Sequence, residues 1–142
     1  FVGRVRAVPR SLRGFNDCPY ILAGFRAFRG FDGGSANFGD VALQALSSQV
    51  QNVSAHVSLD SQVPGRVVVV AINRSTASQT VAFQGLALAG TARVYRITAD
   101  SALAQRAASQ PVAPVAVGSV PVAGGSWLVS LPPLSITTVE VR

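Results

Sequence analysis

The 142-residue chain has one cysteine, one histidine, no methionine and, although it carries twelve basic residues, no lysine. A single thiol, Cys18, excludes an internal disulfide framework and a multi-cysteine zinc site. His56 is the only imidazole, so a histidine-based metal site has no second ligand of its kind. A thiol nucleophile would need Cys18 and His56 to meet, and a bystander thiol is the simpler reading. The longest purely apolar run, Val67–Ile72, is far short of the ~20 residues that span a bilayer. Charged residues make up only 13% of the chain and hydrophobic ones 49%, which excludes a disordered polyelectrolyte and supports a packed core. A chain that opens at Phe1, without methionine and without a signal-peptide pattern, reads as a processed or excised piece. An all-arginine basic set reads as the coding bias of a GC-rich bacterial genome and carries no mechanism.

The net charge of +6 is unevenly placed. Arg4, Arg6, Arg10, Arg13, Arg26 and Arg29 lie in the first 30 residues, opposed only by Asp17. A basic arm of this kind suits an anionic polymer. No stacking aromatics are interleaved with these arginines as they are in an RNA-binding sheet, so nucleic acid is not expected as a partner. Solvent or a larger neighbouring domain is the favoured environment for them. Residues 1–19 are therefore read as a basic arm, poorly ordered or extended, and residues 20–142 as one domain.

Pro19 suits the first turn of a helix. Ile21, Leu22, Phe25 and Phe28 then recur at helical spacing, and Gly30 stops the helix. Val41–Gln51 is ambiguous. Val53, Ala55, Val57 and Leu59 alternate with Ser54, His56 and Ser58, the mark of a half-buried strand. Arg66–Ile72 is a continuous β-branched run, as in a strand covered on both faces. Strands follow at Gln79–Phe83, Thr91–Thr98, Trp127–Leu131 and Ser135–Val141, with proline-interrupted edge pieces across Val112–Val122. Asp100–Gln110 fits a turn of helix or a mobile loop. Seven or eight short strands behind one short helix, without βαβ alternation, give an all-β chain folded as an antiparallel β-sandwich.

The stretch Tyr20–Asp40, YILAGFRAFRGFDGGSANFGD, sets Asp32, Ser35, Asn37 and Asp40 among glycines. As a calcium loop it fails the alternate-position pattern of an EF-hand, because Gly34, Ala36 and Phe38 fall where oxygen ligands belong. The favoured reading is structural: Asp-Gly-Gly and Phe-Gly-Asp supply turns, and Phe38 anchors the loop in the core. No metal site and no cofactor is expected. Asn52-Val-Ser and Asn73-Arg-Ser match the glycosylation sequon, a pattern common by chance. No serine sits in a Gly-x-Ser-x-Gly elbow.

A helix ending GFRAFRGFDG, a glycine-rich loop closing in FGD, the strand pair VVVVAINRSTASQTVAF, the strand ARVYRIT and the closing LPPLSITTVEV occur in that order. Together, over about Tyr20–Arg142, they resemble the C-terminal β-sandwich of family 44 glycoside hydrolases, enzymes of endo-β-glucanase and xyloglucanase type. The resemblance implies a secreted enzyme with two catalytic glutamates on a (β/α)₈ barrel. Those barrel segments are absent here, so no catalytic residue carries over. Glu140 is the chain's one glutamate, and retaining hydrolysis needs two carboxyl groups ~5 Å apart. The expectation is therefore a non-catalytic accessory domain that packs against a catalytic barrel, with the helix face of Ile21, Leu22, Phe25 and Phe28 turned to that barrel or to the sandwich. The alternative is an independent carbohydrate-binding module for β-glucan such as cellulose or xyloglucan. Sugar rings stack on flat aromatics, and the candidates are Trp127, Tyr95, Tyr20 and Phe31. Trp127 shares its face with Val129 and Leu131, which in the resembling domains is core. Tyr95 shares its face with Arg93, leaving Tyr95, Trp127 and Arg93 as the candidate carbohydrate-binding residues.

Overall fold

The computed structural model describes residues 19–142; the basic arm and Cys18 lie outside the described residues, apart from Pro19. Helix α1 (Pro19–Phe28) leads into strands β1 (Val41–Leu43), β2 (Val53–Leu59), β3 (Val67–Asn73), β4 (Gln79–Gln84) and β5 (Gly90–Ile97). Helix α2 (Ala99–Ala107) follows, then β6 (Val115–Val122), β7 (Ser126–Leu131) and β8 (Ser135–Val141). Six strands form one antiparallel sheet in the order β1-β2-β3-β8-β5-β6, and β4 and β7 form a second, two-stranded sheet. The expected β-sandwich is what the chain forms. The segment Asp100–Gln110 resolves as a helix, with Thr98 as its cap: Thr98 accepts from the Ser101 amide and Ser101 reciprocates.

Why the large sheet tolerates an unbroken apolar strand is plain from its two faces. Val67, Val69 and Ala71 point at the small sheet, where they pack with Trp127, Val129, Leu131, Val139 and Val141. Val70 points the other way, against Ala23 and Ala27 of α1, Ala102 of α2 and Val112, while Val68 packs with Phe31 and Tyr95. Strand β3 is thus buried on both sides, whereas β7 alternates: Trp127, Val129 and Leu131 in, Ser126, Leu128 and Ser130 out.

Two polar side chains tie the layers together. The Asn73 amide donates to the carbonyls of Ala77, Leu131 and Pro132 at 2.9, 3.1 and 2.7 Å, and its oxygen accepts from the Ser75 amide. Buried and fully engaged, this nitrogen is not open to glycosylation. Arg96 reaches from β5 to the Ser130 carbonyl of β7 at 2.7 Å and to Thr137 Oγ1 at 3.2 Å.

Of the two neighbours open to the apolar stripe of α1, a barrel or the sandwich, the sandwich does not take most of it. The helix's small residues Ala23 and Ala27 are the buried ones, while Ile21 and Phe25 are both 59% exposed and Tyr20 is 51% exposed. Small side chains let the helix sit close to the sheet, so close that Thr138 Oγ1 donates to the Ala27 carbonyl at 2.7 Å. Within the stripe Leu22 is half-buried and Phe28 packs against the core, edge-on to Phe38 and His56.

Candidate functional site

The glycine-rich loop after α1 is held in place by an arginine–carboxylate cluster at the end of β3 and β8. Asp32 opens the loop as an Asx turn, its Oδ1 accepting from the amides of Gly34 and Ala36 at 2.9 and 3.1 Å. Gly30 adopts φ +70 and donates to the Ala36 carbonyl, and the Phe38 amide donates to Phe28, closing the loop on itself. Gly39 has a steric reason to be glycine: a Cβ there would lie 2.0 Å from the Leu59 carbonyl oxygen. Its amide donates to Ser58 Oγ at 2.7 Å. Asp40 then accepts from both the amide and the hydroxyl of Ser61. The anchor that sinks the loop is Phe31, fully buried with its ring 5.3 Å from that of Tyr95; Phe38 is the shallower contact.

Behind the loop, Arg66 uses three arms of its guanidinium. Nε donates to Glu140 at 2.7 Å, one terminal nitrogen to Asp60 at 2.7 Å, and the other to the Asn37 carbonyl at 2.8 Å. Glu140 Oε1 also accepts from Nε and Nη2 of Arg142 at 3.0 and 2.8 Å. Arg66 and Glu140 are buried, at 5% and 2% exposure, so each charge answers the other out of water. Asp60 is held below the ordinary carboxylate range first by the Gln62 amide and then by Arg66. For Asp40 the Ser61 hydroxyl and amide do the same. For Asp32 burial pulls upward but the Gly34 and Ala36 amides outweigh it.

This arrangement clamps the loop to the sheet. A glycosidase acid must be protonated near neutral pH, which takes an upward shift, and the three shifted aspartates move down. Glu140 does have a carboxylate neighbour through Arg66, yet it is buried under two guanidinium groups: a cavity of about 410 Å³ beside the cluster is lined by Asp32, Asp40, Asp60, Arg66 and Arg142 and not by Glu140. Among the described residues no group of three His, Cys, Asp or Glu is placed to hold a metal ion.

The candidate sugar-contacting residues are not brought together. Trp127 is 5% exposed and stacked on Phe83 with ring centroids 4.4 Å apart, on the inner face of the small sheet. Tyr95 is 8% exposed and lies against Phe31 on the opposite face of the large sheet. Only Arg93 is exposed. Neither ring presents a free face, so the geometry gives these three residues no common platform. The remaining aromatic candidate, Tyr20, is exposed but already lies under Arg106, whose guanidinium carbon is 5.4 Å from the ring centroid. The clamp itself went unforeseen: Arg66 and Glu140 are 74 positions apart, and only the antiparallel pairing of β3 with β8 puts Val68 opposite Glu140.

No family model and no curated protein matches the chain. Solved structures do match in fold. A xyloglucanase of glycoside hydrolase family 44 from Paenibacillus polymyxa shares 20% identity over 87% of this chain and 23% of its own, with a TM-score of 0.75. A family 44 endoglucanase from Clostridium thermocellum shares 15% over 89% and 24%, again at 0.75. A family 30 endoxylanase from Clostridium papyrosolvens shares 25% over 71% and 23%, at 0.53. The chain thus has the fold of one region of the family 44 structures and spans about a quarter of their length.

Proposed function

We propose that this chain is the non-catalytic accessory β-sandwich of a secreted, polysaccharide-degrading glycoside hydrolase, and that it packs against the catalytic barrel of that enzyme. The observation that carries this reading is the extent of the likeness. It takes in nearly the whole of this chain but only about a quarter of each family 44 structure, as a domain beside a larger catalytic part would. Two features of the molecule support it. Asp32, Asp40, Asp60 and Glu140 are engaged in holding the loop and sheet, and Asp100, the other described carboxylate, stands apart on α2, so the described residues supply no evident acid and nucleophile pair for hydrolysis. Its leading helix turns Ile21 and Tyr20 outward, an apolar ridge next to where a preceding domain would join. Residues 1–19 would form the connection and residues 20–142 the accessory domain.

The test is to express residues 1–142 alone and together with the polypeptide encoded immediately upstream of Phe1. The expectation is no reducing-sugar release from xyloglucan or a soluble glucan by the short chain, and release by the longer one. Glucan hydrolysis by residues 1–142 that is lost in Glu140→Gln, with the fold intact by circular dichroism, would overturn the accessory reading. So would an upstream polypeptide without a barrel bearing paired carboxylates.

A further inference from the structure

A groove of about 740 Å³ runs between the free edge of β4 and the segment 43–49, floored by the inner side of β2. It is where the two-stranded sheet fails to cover the six-stranded one. Its size is that of a small-molecule site, and its β4 wall is about 20 Å long at ~3.3 Å per residue. The chemistry of its lining is unusual for this chain. None of its 18 residues is charged, in a molecule of net charge +6. Four of the chain's eight glutamines, Gln44, Gln49, Gln79 and Gln84, line it. Phe83 and Val57 supply apolar surface between them, and Phe83 is kept rigid by its stack on Trp127.

A wall without charge rejects ions on both counts. It offers no cation for a phosphate or carboxylate, and no acid for a metal or an amine. Primary amides each offer two donors and an acceptor pair, which suits vicinal hydroxyl groups, and Phe83 suits the C–H face of a sugar ring. Gln44 and Gln84 are exposed and make no side-chain hydrogen bond to other described residues, so their amides are available. We propose that this groove binds a neutral, extended hexose chain, with Gln44, Gln49, Gln79 and Gln84 reading hydroxyls and Phe83 beneath the rings. That the hexose chain is a glucan rests on the glycoside hydrolase reading above; that it is neutral and polyhydroxylated rests on the groove alone.

The experiment is a titration of ¹⁵N-labelled residues 1–142 with cellohexaose and, separately, with a xyloglucan heptasaccharide. Shifts are expected at residues 43–49 and 79–86, with the same affinity at 20 mM and 500 mM salt, because no charges meet. The double variant Gln44→Ala/Gln84→Ala, both side chains at the surface, is expected to weaken binding about tenfold with an unchanged circular dichroism spectrum. No shift with either sugar, shifts confined to other residues, or affinity falling steeply with salt would each overturn the proposal. Shifts at these residues on raising protein concentration alone would assign the groove to a strand from a second copy and overturn it too. None of these outcomes bears on the outward face of α1, so packing against a barrel stands or falls separately.

Discussion

At the scale of single residues, Glu140 and Arg66 show how a charge becomes tolerable inside an apolar sheet. Each is buried, and each is held by the other together with a second partner, Asp60 for Arg66 and Arg142 for Glu140. Glu140→Gln leaves Arg66 with a buried, undercompensated charge and should cost about 3–5 kcal/mol in urea denaturation. The double variant Arg66→Met/Glu140→Leu should recover most of that loss, since a well-packed apolar pair avoids the desolvation of both ions. Acid acts on the neighbours. Asp60, Asp40 and Asp32 bind protons less readily folded than unfolded, so their contribution is present above the ordinary aspartate value of 3.8 and drains away as pH falls below it. The urea midpoint should therefore drop as pH is lowered from 5 to 2.5, and Asp60→Asn should shallow that slope while lowering the midpoint at neutral pH. Gly39→Ala is a different matter. Its Cβ would meet a backbone oxygen that cannot move without breaking the β2 edge, and a loss beyond about 3 kcal/mol is expected.

At the scale of elements, what the sequence makes legible is periodicity, and what it hides is long-range pairing. Strands β2, β3, β4, β5, β7 and β8 could be read from alternation or from the apolar run, because each side chain's face is set by its neighbours along the chain. Helix α2 was ambiguous since an Ala- and Ser-rich segment has little amphipathic signal; the Thr98–Ser101 reciprocal cap decides it. Thr98→Ala should cost about 1 kcal/mol and loosen amide protection in residues 99–102 first. Helix α1 falls where the sequence places it, but spacing leaves open which neighbour its stripe meets. Spacing identifies Ile21, Leu22, Phe25 and Phe28 as a stripe, but the sheet takes the alanine side because it admits closer approach. The Arg66–Glu140 clamp and the Asn73 link depend on β3 meeting β8 and on β3 meeting the end of β7, and no local pattern encodes either meeting. Asn73→Ala should cost at least about 2 kcal/mol, because three carbonyls lose their donor at once.

At the scale of the whole molecule, the six-stranded sheet carries helices on one face and a short sheet on the other, and neither cover is complete. Beyond α1 the exposed Ile21 leaves apolar surface, and Ile21→Glu should shift residues 1–142 toward monomer in sedimentation velocity at high concentration while leaving its unfolding midpoint nearly unchanged. The order of the strands has a further effect. Strand β8, last in sequence, lies in the middle of the sheet between β3 and β5. During translation the first three strands and the β5–β6 pair must wait as separate fragments until the residues of β8 emerge from the ribosome to join them. A chain stalled or cleaved before Ser135 would leave both halves with bare, β-branched edges. The interval before that last strand arrives is when the protein is most exposed to aggregation.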